Sequence, residues 1–345
     1  MNVFIGLDVS LESTAVCVVS EHGKISQATA AASEPEALVK ALEEIEGSVL
    51  CVGMEAGPLS QWLHKHLTDA GFDTVLMETR HVKSVLKAMP IKTDRRDAEG
   101  IARLLQTGWY RPVHCKSASA QETRALLTAR RSLQRGILNL ELSIRGVLRN
   151  FGLKVGKVSK GKYEARIREL ANGSPMLELA MVVTLNARTT MKEQFAELDR
   201  QLLALAKRDP VSQLMITMPG VGAIVALTVK SAIDDPGRFK SSKDVGPWAG
   251  LTPKRNQSGE TDIVGRITKA GDTSLRAALY QAATVMLNNA KYNWLTAWAL
   301  RVASRRGKKR ATVALARRIC VVLHNMWLHR TKFEFTRCGA MSAHE

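Results

Sequence analysis

Four acidic residues stand where their side chains could bind divalent metal ions. Asp8 interrupts an apolar, β-branched segment, residues 2–9, which is typical of a buried strand. Glu55 follows a second segment of this kind, and Asp94 and Asp97 begin a helical pattern on one helix face. Carboxylate oxygens favour Mg²⁺ or Mn²⁺. Two such ions about 3.5–4 Å apart can activate a nucleophile and stabilise a leaving oxygen at phosphorus.

Each acid also has a simpler interpretation when it is taken alone. Asp94 could cap the helix with Asp97 at its third position, where the helix dipole favours acids. Glu55 could be an ordinary exposed acid. No such simple interpretation fits Asp8, because burying a carboxylate in an apolar strand costs free energy unless the carboxylate is paired or metal-bound. The combined order of strand Asp, strand Glu and helical Asp-x-x-Asp predicts a ribonuclease H or RuvC type of α/β domain.

A second group of residues surrounds Ser258. Pro253 and Gly259 predict that the segment around this serine is a loop. Cations precede and follow Ser258, at Lys254, Arg255, Arg266, Lys269 and Arg276. A serine that attacks a phosphodiester needs positive charge near the phosphate and a base or metal to accept its proton. Taken alone, the residues favour a plain turn in a phosphate-binding loop over a nucleophile.

The tetrapeptide Pro219-Gly220-Val221-Gly222 is similar to the turn of helix-hairpin-helix modules. In these modules, backbone N–H groups at a helix N-terminus bind DNA phosphate without reading bases. Gly220 and Gly222 are therefore candidate phosphate-binding residues. The alternative is a simple pair of loop glycines.

The charge distribution favours a polyanionic partner. The chain of 345 residues has a net charge of +18, which points to nucleic acid. Residues 1–100 hold 9 Lys/Arg and 15 Asp/Glu, a net of −6, whereas residues 101–345 hold 41 and 17, a net of +24. We expect grouped carboxylates in the first part and phosphate contacts in the rest. Hydrophobic residues make up 45% and aromatic residues 5%, which favours helix-rich cores.

The periodicity predicts an α/β domain followed by helical regions. Its strands are predicted at residues 2–9, 13–20, 25–31, 48–54 and 72–78, and its helices at 34–46 with Ser33 as N-cap, 59–71 and 94–108. Two last helices are predicted at 275–300 and 309–330. The predicted domains are a catalytic domain at 1–115, a helical coiled-coil domain at 116–209, a mostly helical domain at 210–335 and a tail at 336–345.

The middle region contains two seams of apolar residues spaced by three and four. They are Leu133, Ile137, Leu140, Ile144, Val147 and Phe151 in the first helix, and Met191, Phe195, Leu198, Leu202 and Leu205 in the second. Heptad spacing predicts an antiparallel helical hairpin. The hairpin could pack inside one molecule or also join subunits, and the sequence leaves both alternatives open.

Cysteines and hydropathy indicate the compartment. The five cysteines include no C-x-x-C pair, so neither a zinc site nor a disulfide framework is predicted. No apolar run approaches the roughly 18 residues that span a bilayer, and the first residues do not have the pattern of a signal peptide. We expect a cytoplasmic, nucleoid-associated protein with no membrane contact.

Several motifs together resemble the DEDD-type transposases of bacterial insertion sequences, which are recombinases guided by a bridge RNA. The motifs are FIGLDVS (residues 4–10), MEAG (54–57), KTDRRDA (92–98), MPGVG (218–222), WAGLTP (248–253), SG (258–259), GRITKAGD (265–272) and LR (275–276). They follow the order of the family.

The resemblance implies a RuvC-like first domain and a C-terminal transposase domain. It implies that Asp8, Glu55, Asp94 and Asp97 bind metal, and that Ser258 attacks DNA to form a transient phosphoserine bond. It also implies a dimer or tetramer in which the acidic site of one subunit meets the serine domain of another. A structured noncoding RNA would pair with donor and target DNA, so that base pairing selects the sequence.

Two other functions remain open at the level of sequence. A RuvC-like junction nuclease would need only the four acids and a metal-activated water. A non-enzymatic nucleic-acid-binding protein would use the acids as helix caps and solvated charges, and would show no Mg²⁺-dependent DNA processing.

Overall fold

The computed structural model describes residues 1–87, 92–289 and 291–336. The chain divides into two units, Met1–Lys116 and Ser117–Glu345. This division lies one residue from the boundary predicted after residue 115, whereas the boundary between residues 209 and 210 stays a prediction. Most of the tail, residues 337–345, lies outside the described residues. Within the described ranges, no helix has both the length and the apolar character needed to cross a membrane.

A five-stranded sheet forms the centre of the first unit. Its strands are β1 (Asn2–Val9), β2 (Ser13–Ser20), β3 (Ile25–Ala32), β4 (Ser48–Glu55) and β5 (Thr74–Met77). The strand order is β3-β2-β1-β4-β5. The first three strands pair antiparallel, and β4 and β5 continue the sheet in parallel with β1. All five predicted strands are confirmed.

Helices cover both faces of this sheet. They are α1 (Pro35–Glu43), α2 (Ser60–Asp69), α3 (Thr79–Leu86) and α4 (Asp94–Gln106). Because side chains alternate between the faces of a strand, Ile5 and Leu7 pack with Leu38 of α1 and Leu63 of α2. On the opposite face, Ala98 of α4 packs in another buried cluster. The first unit is thus a mixed α/β fold.

Two details of this unit differ from the predictions. Ser33 does not cap α1, because the N-cap is Glu34 and makes no side-chain cap bond. The Ser33 hydroxyl instead donates to the Ser10 carbonyl at 2.8 Å. The short helix α3 was not predicted, because it has few apolar residues from which a helical pattern could be recognised.

Gly6 lets α4 lie directly against the central strand β1. A Cβ at this position would come within 2.1 Å of the Ala98 carbonyl oxygen and 2.4 Å of the Ala102 nitrogen. Both are backbone atoms, so a side chain could be accommodated only by moving the helix. The glycine therefore sets the distance between α4 and β1.

The second unit is mostly helical. Its helices are α5 (Ala118–Asn150), α6 (Tyr163–Ala171), α7 (Pro175–Arg208), α8 (Pro210–Ile216), α9 (Ala223–Ile233), α10 (Val245–Trp248), α11 (Thr273–Asn289), α12 (Trp294–Arg306) and α13 (Lys308–His329). Strands β6 (Pro253–Ser258) and β7 (Thr261–Ile267) form a separate antiparallel hairpin. Helices α8, α9, α11, α12 and α13 contribute to one large apolar core.

The long helices α5 and α7 form the predicted antiparallel pair. Arg130 pairs with Asp199, and farther along α5 Glu141 accepts a hydrogen bond from Arg188 at 2.8 Å. The paired residue numbers rise on one helix and fall on the other. Two seam predictions are wrong, because Phe151 is 63% exposed and Leu205 is 37% exposed. Whether the hairpin also joins subunits stays a prediction.

The predicted helix at 275–300 is wrong, because the structure has two helices there. Helix α11 ends at Asn289 and α12 begins at Trp294. The Asn293 side chain caps α12 by accepting hydrogen bonds from the Leu295 and Thr296 amides. The apolar spacing continues across this break, so periodicity alone could not reveal it. The helix predicted at 309–330 is confirmed as α13.

We expect Gly6→Ala to destabilise the first unit by about 1–3 kcal/mol or more, the range for overpacked cores. The added methyl group would force α4 away from β1. Chemical denaturation followed by circular dichroism measures the change.

Gly146→Ala is the matched control. Gly146 lies inside α5, and a methyl group added there would have no neighbour within 4 Å. Alanine should therefore leave stability unchanged or raise it by up to ~1 kcal/mol, the helix-propensity gain. Equal stability of the two variants would contradict the role of Gly6.

Candidate active site

The sheet brings Asp8 and Glu55 to the same edge. Strands β1 and β4 are parallel neighbours, and Leu7 pairs with Met54. Asp8 and Glu55 are the next residues on each strand, so they lie side by side where the two strands end. Both carboxylates therefore stand at one end of the two central strands.

Helix α4 brings the other two acids towards this edge. Thr93 is its N-cap and accepts a hydrogen bond from the Arg96 amide at 3.3 Å. The alternative in which Asp94 caps the helix is therefore wrong, and neither Asp94 nor Asp97 is needed as a cap. Both remain near the positive end of the helix dipole, which favours negative charge. The Asp97 side chain is only 14% exposed.

The charges of the other three acids act on Asp8. Partial burial raises the pKa of Asp8 to about 6, and the negative charges of Asp97, Asp94 and Glu55 contribute in the same direction, whereas Lys92 lowers it. A carboxylate that loses solvation beside three others is a group that a cation would stabilise. All four predicted acids thus contribute to a single acidic cluster.

Two lysines approach the acidic cluster. Lys83 lies 3.9 Å from Glu55, and Lys92 lies 3.9 Å from Asp97. The Lys92 side chain is 85% exposed, so the pair is weakly held and easily displaced. Lys83 was missed by the sequence reasoning, because it belongs to α3, which was not predicted.

The donor set of the cluster fits a hard divalent cation. Its oxygens belong to carboxylates, the ligands that Mg²⁺ and Mn²⁺ prefer. In the described part of the chain, no three His, Cys, Asp or Glu side chains are close enough to hold one ion together. Metal binding would therefore require the carboxylates to come closer together and Lys83 and Lys92 to move away from them.

Ser258 lies at the tip of a β-hairpin, which corrects the prediction of a loop. It is the last residue of β6 and pairs with Thr261 of β7. Gly259 has a φ of +55° in the connecting turn, a conformation that favours glycine. Every residue of β6 is exposed. Within the described residues, no hydrogen-bond partner of the Ser258 hydroxyl is found, so no base is hydrogen-bonded to it.

The predicted basic contacts have different environments. Arg255 donates two hydrogen bonds to Asp262 across the hairpin, at 2.7 and 2.8 Å. The Arg276 guanidinium donates to the carbonyls of Ala270 and Gly271, so it stabilises the loop before α11. Lys254 is exposed. The remaining two, Arg266 and Lys269, line a groove beside the hairpin.

The glycine turn before α9 joins two helices, as predicted. Gly220 has a φ of +83°, and a Cβ there would lie 2.5 Å from the Ala282 carbonyl oxygen of α11. Gly220 is therefore required for packing. Gly222 is exposed at the N-terminus of α9 and has open space around it. Phosphate binding at this turn stays a prediction.

Comparisons with known proteins identify the class of this chain. A profile described as Transposase, for DEDD domains of the IS110 type, matches residues 5–152, the range that contains all four acids. A second profile, described as Transposase IS116/IS110/IS902 family, matches residues 212–299, which include Ser258. The class is therefore that of transposases, enzymes that act on DNA. The chain belongs to the IS110/IS116 family of insertion-sequence transposases.

Relatives from several bacteria extend this similarity over most of the chain. The transposase for insertion sequence element IS1111A of Coxiella burnetii is 30% identical over 343 residues, covering 97% of this chain and 92% of the relative. The "Probable family 20 transposase" of Pseudomonas aeruginosa is 27% identical, covering 79% and 82%. The transposase for insertion sequence element IS1328 of Yersinia enterocolitica is 26% identical, covering 70% and 72%.

Asp8→Asn should raise the free energy of unfolding of the metal-free protein at neutral pH. The amide keeps the shape of the side chain but removes the charge that Asp97, Asp94 and Glu55 repel. Urea denaturation in EDTA measures the change.

Asp69→Asn serves as the control, because this exposed carboxylate only forms a surface pair with Lys65 at 3.8 Å. Its effect should stay within ~0.5 kcal/mol. An Asp8→Asn protein that is less stable than the wild type in EDTA would show that the acids do not repel one another.

Proposed function

We propose that this transposase cuts and rejoins DNA strands with two chemical centres, a metal-binding acidic cluster and the Ser258 hydroxyl. The observation that carries the proposal is the acidic cluster, in which Asp8 and Glu55 end neighbouring parallel strands and Asp94 and Asp97 at the start of α4 help to raise the pKa of Asp8. Membership of the transposase family and the cationic surroundings of Ser258 support it.

In this proposal, the first unit is a RuvC-like domain. Its mixed sheet, with three antiparallel strands followed by two parallel ones, supports this fold assignment. Asp8, Glu55, Asp94 and Asp97 would hold Mg²⁺ or Mn²⁺ through their carboxylate oxygens. When bound, the metal would neutralise charge at the reacting phosphate. The carboxylates themselves would fix the position of the metal, and one of them could accept a proton.

Ser258 would be the nucleophile. Its Oγ would bond to phosphorus while the bond between phosphorus and a sugar oxygen breaks, which leaves a phosphoserine link and a free sugar hydroxyl. The serine proton would pass to a base, and the leaving oxygen would take up a proton. The reverse sequence, with a hydroxyl of another strand, would rejoin the DNA. The exposed hairpin tip is accessible to a DNA strand.

The surroundings of Ser258 suggest a composite site. Among the described residues, its hydroxyl has no hydrogen-bond partner, and Asp262 of the same hairpin is paired with Arg255. An activator from outside the hairpin would complete the site. We propose that the acidic cluster of another subunit supplies it, in a dimer or tetramer. The exposed apolar residues Ile263 and Val264 on β7, 58% and 64% exposed, would favour docking of the hairpin against a second surface.

We further propose a structured noncoding RNA as guide. Residues 101–345 carry a net charge of +24, which would support simultaneous contact with RNA and with donor and target DNA. Base pairing by the RNA would then select the sequence. The support for this part is charge and family resemblance.

The second candidate is a RuvC-like junction endonuclease that uses a metal-activated water. The observation that favours it is that no described residue is hydrogen-bonded to the Ser258 hydroxyl as a base. This enzyme would need only the acidic cluster, and it would form no covalent link to DNA.

Ser258→Ala should abolish the covalent protein–DNA adduct while DNA binding remains, because only the nucleophilic oxygen is removed. Asp97→Asn should abolish Mg²⁺-dependent cleavage. Gel electrophoresis of labelled element-end DNA, under denaturing conditions and with the full chain, measures both.

Ser304→Ala provides the matched control. Ser304 is an exposed serine of α12 whose hydroxyl donates to the Arg301 carbonyl of the same helix, so its adduct should match the wild type. Cleavage that survives Ser258→Ala but not Asp97→Asn would favour the junction endonuclease. Cleavage that survives both substitutions would refute both candidates.

A further inference from the structure

A long groove crosses the second unit beside the hairpin that carries Ser258. It lies among α12, α13 and the base of the hairpin, and its volume is about 1600 Å³. We call it the α13 groove. Small-molecule sites typically measure about 300–1,000 Å³, so the dimensions fit an extended ligand better than a small one.

The lining of the α13 groove is strongly cationic. Nine Lys or Arg residues line it, and Glu334 is the only acid among its described lining residues. Arg306, Lys309 and Arg310 are exposed at one end. Within the described part of the chain, these three form no ion pair. Their charge is therefore available to an anionic ligand.

Two further arginines are held in place by packing. The Arg318 guanidinium lies 4.0 Å from the centre of the Trp298 ring, a cation–π contact that restricts its motion. The stem of Arg317 packs over Gly246, where a Cβ would come within 3.0 Å of the Arg317 Cγ. Such positioned guanidinium groups lose little entropy when they bind phosphate.

The groove also has an apolar wall. Trp298, Val302, Val313, Val321 and Val322 line it between the cations. A duplex presents phosphates and the edges of its grooves and keeps its base faces stacked inside, so an apolar wall contacts it less fully. An unpaired strand presents phosphates on one side and sugars and bases on the other. Grooves for single strands combine positive charge with such contacts.

We propose that the α13 groove binds an unpaired DNA strand, with Arg306, Lys309, Arg310 and Arg317 on the phosphates and the apolar wall against sugars and bases. The inference rests on the proposed function, because cutting and rejoining strands exposes unpaired ends. The hairpin connects the two sites, since its base supplies Arg266 and Ile267 to the groove and its tip carries Ser258.

The test compares the triple variant Arg306→Gln/Lys309→Gln/Arg310→Gln with the wild-type full chain. Fluorescence anisotropy in EDTA records binding of a labelled single-stranded DNA of mixed sequence, the same sequence as duplex, and the same sequence as RNA. Single-stranded binding should weaken by at least about tenfold, and the slope of log K against log salt should fall by about 2, since each lost phosphate contact contributes ~0.7. Duplex and RNA binding should change less.

The matched control is Lys154→Gln/Lys157→Gln/Lys160→Gln, which removes the same charge from residues between α5 and α6 that do not line the groove. It should bind single-stranded DNA as the wild type does. A charge-keeping variant, Arg306→Lys/Arg310→Lys, should retain most of the binding if folding is intact.

Three results would overturn the proposal. They are unchanged single-stranded binding by the groove variant, an equal loss in the control, and a larger loss for duplex DNA or for RNA. Because EDTA prevents metal-dependent cleavage, this test is independent of the acids and of Ser258. A failed cleavage experiment with intact groove binding would reject only the proposed function.

Discussion

The close approach of α4 to β1 is the constraint on which the acidic site depends. Only a residue without a side chain allows the Ala98 carbonyl to lie over Gly6. This contact fixes the start of α4 near the end of the central strands, where Asp8 and Glu55 stand side by side. Asp94 and Asp97 are brought to the cluster by helix packing, and their separation in sequence from Asp8 has no bearing on their proximity.

Bringing four carboxylates together is unfavourable unless something offsets their charge. The raised pKa of Asp8 reflects this cost, and the two exposed lysines beside Glu55 and Asp97 offset only part of it. Both faces of the sheet that carries Asp8 and Glu55 are covered by helices that pack apolar residues against it. A divalent cation bound to the carboxylates would reduce this repulsion.

The two units divide the charge of the chain between them. Residues 1–100 hold 15 of the 32 Asp and Glu residues but only 9 of the 50 Lys and Arg residues. The second unit carries the exposed cations of the α13 groove and the exposed hairpin. The acidic cluster therefore lies in the part of the chain with net negative charge, and the groove and hairpin lie in the part with net positive charge. Within the second unit, Arg255 and Arg276 are engaged by Asp262 and by backbone carbonyls, whereas Arg306 and Lys309 have no acidic partner among the described residues. Basic composition therefore does not distinguish a structural arginine from one that is available to bind an anion. The hydrogen-bond and ion-pair partners of each side chain make that distinction.

Local sequence features were enough to predict the strands of the first unit, the start of α4 and the antiparallel pairing of α5 with α7. They also singled out the four acids that come near one another, whose role in metal binding stays a prediction. These features follow from local periodicity and from polar residues that interrupt apolar segments. Only the three-dimensional structure shows that Ser258 lies in a strand. The strand forms because β6 pairs with β7 across the turn at Gly259. The structure also shows that the helix predicted at 275–300 is divided into α11 and α12. It shows that Arg276 stabilises a loop, and that α13 lines a groove. The first three outcomes depend on the pairing of β6 with β7, on the side-chain cap that Asn293 makes, and on the direction of the Arg276 side chain. Apolar spacing along the chain does not encode such polar contacts.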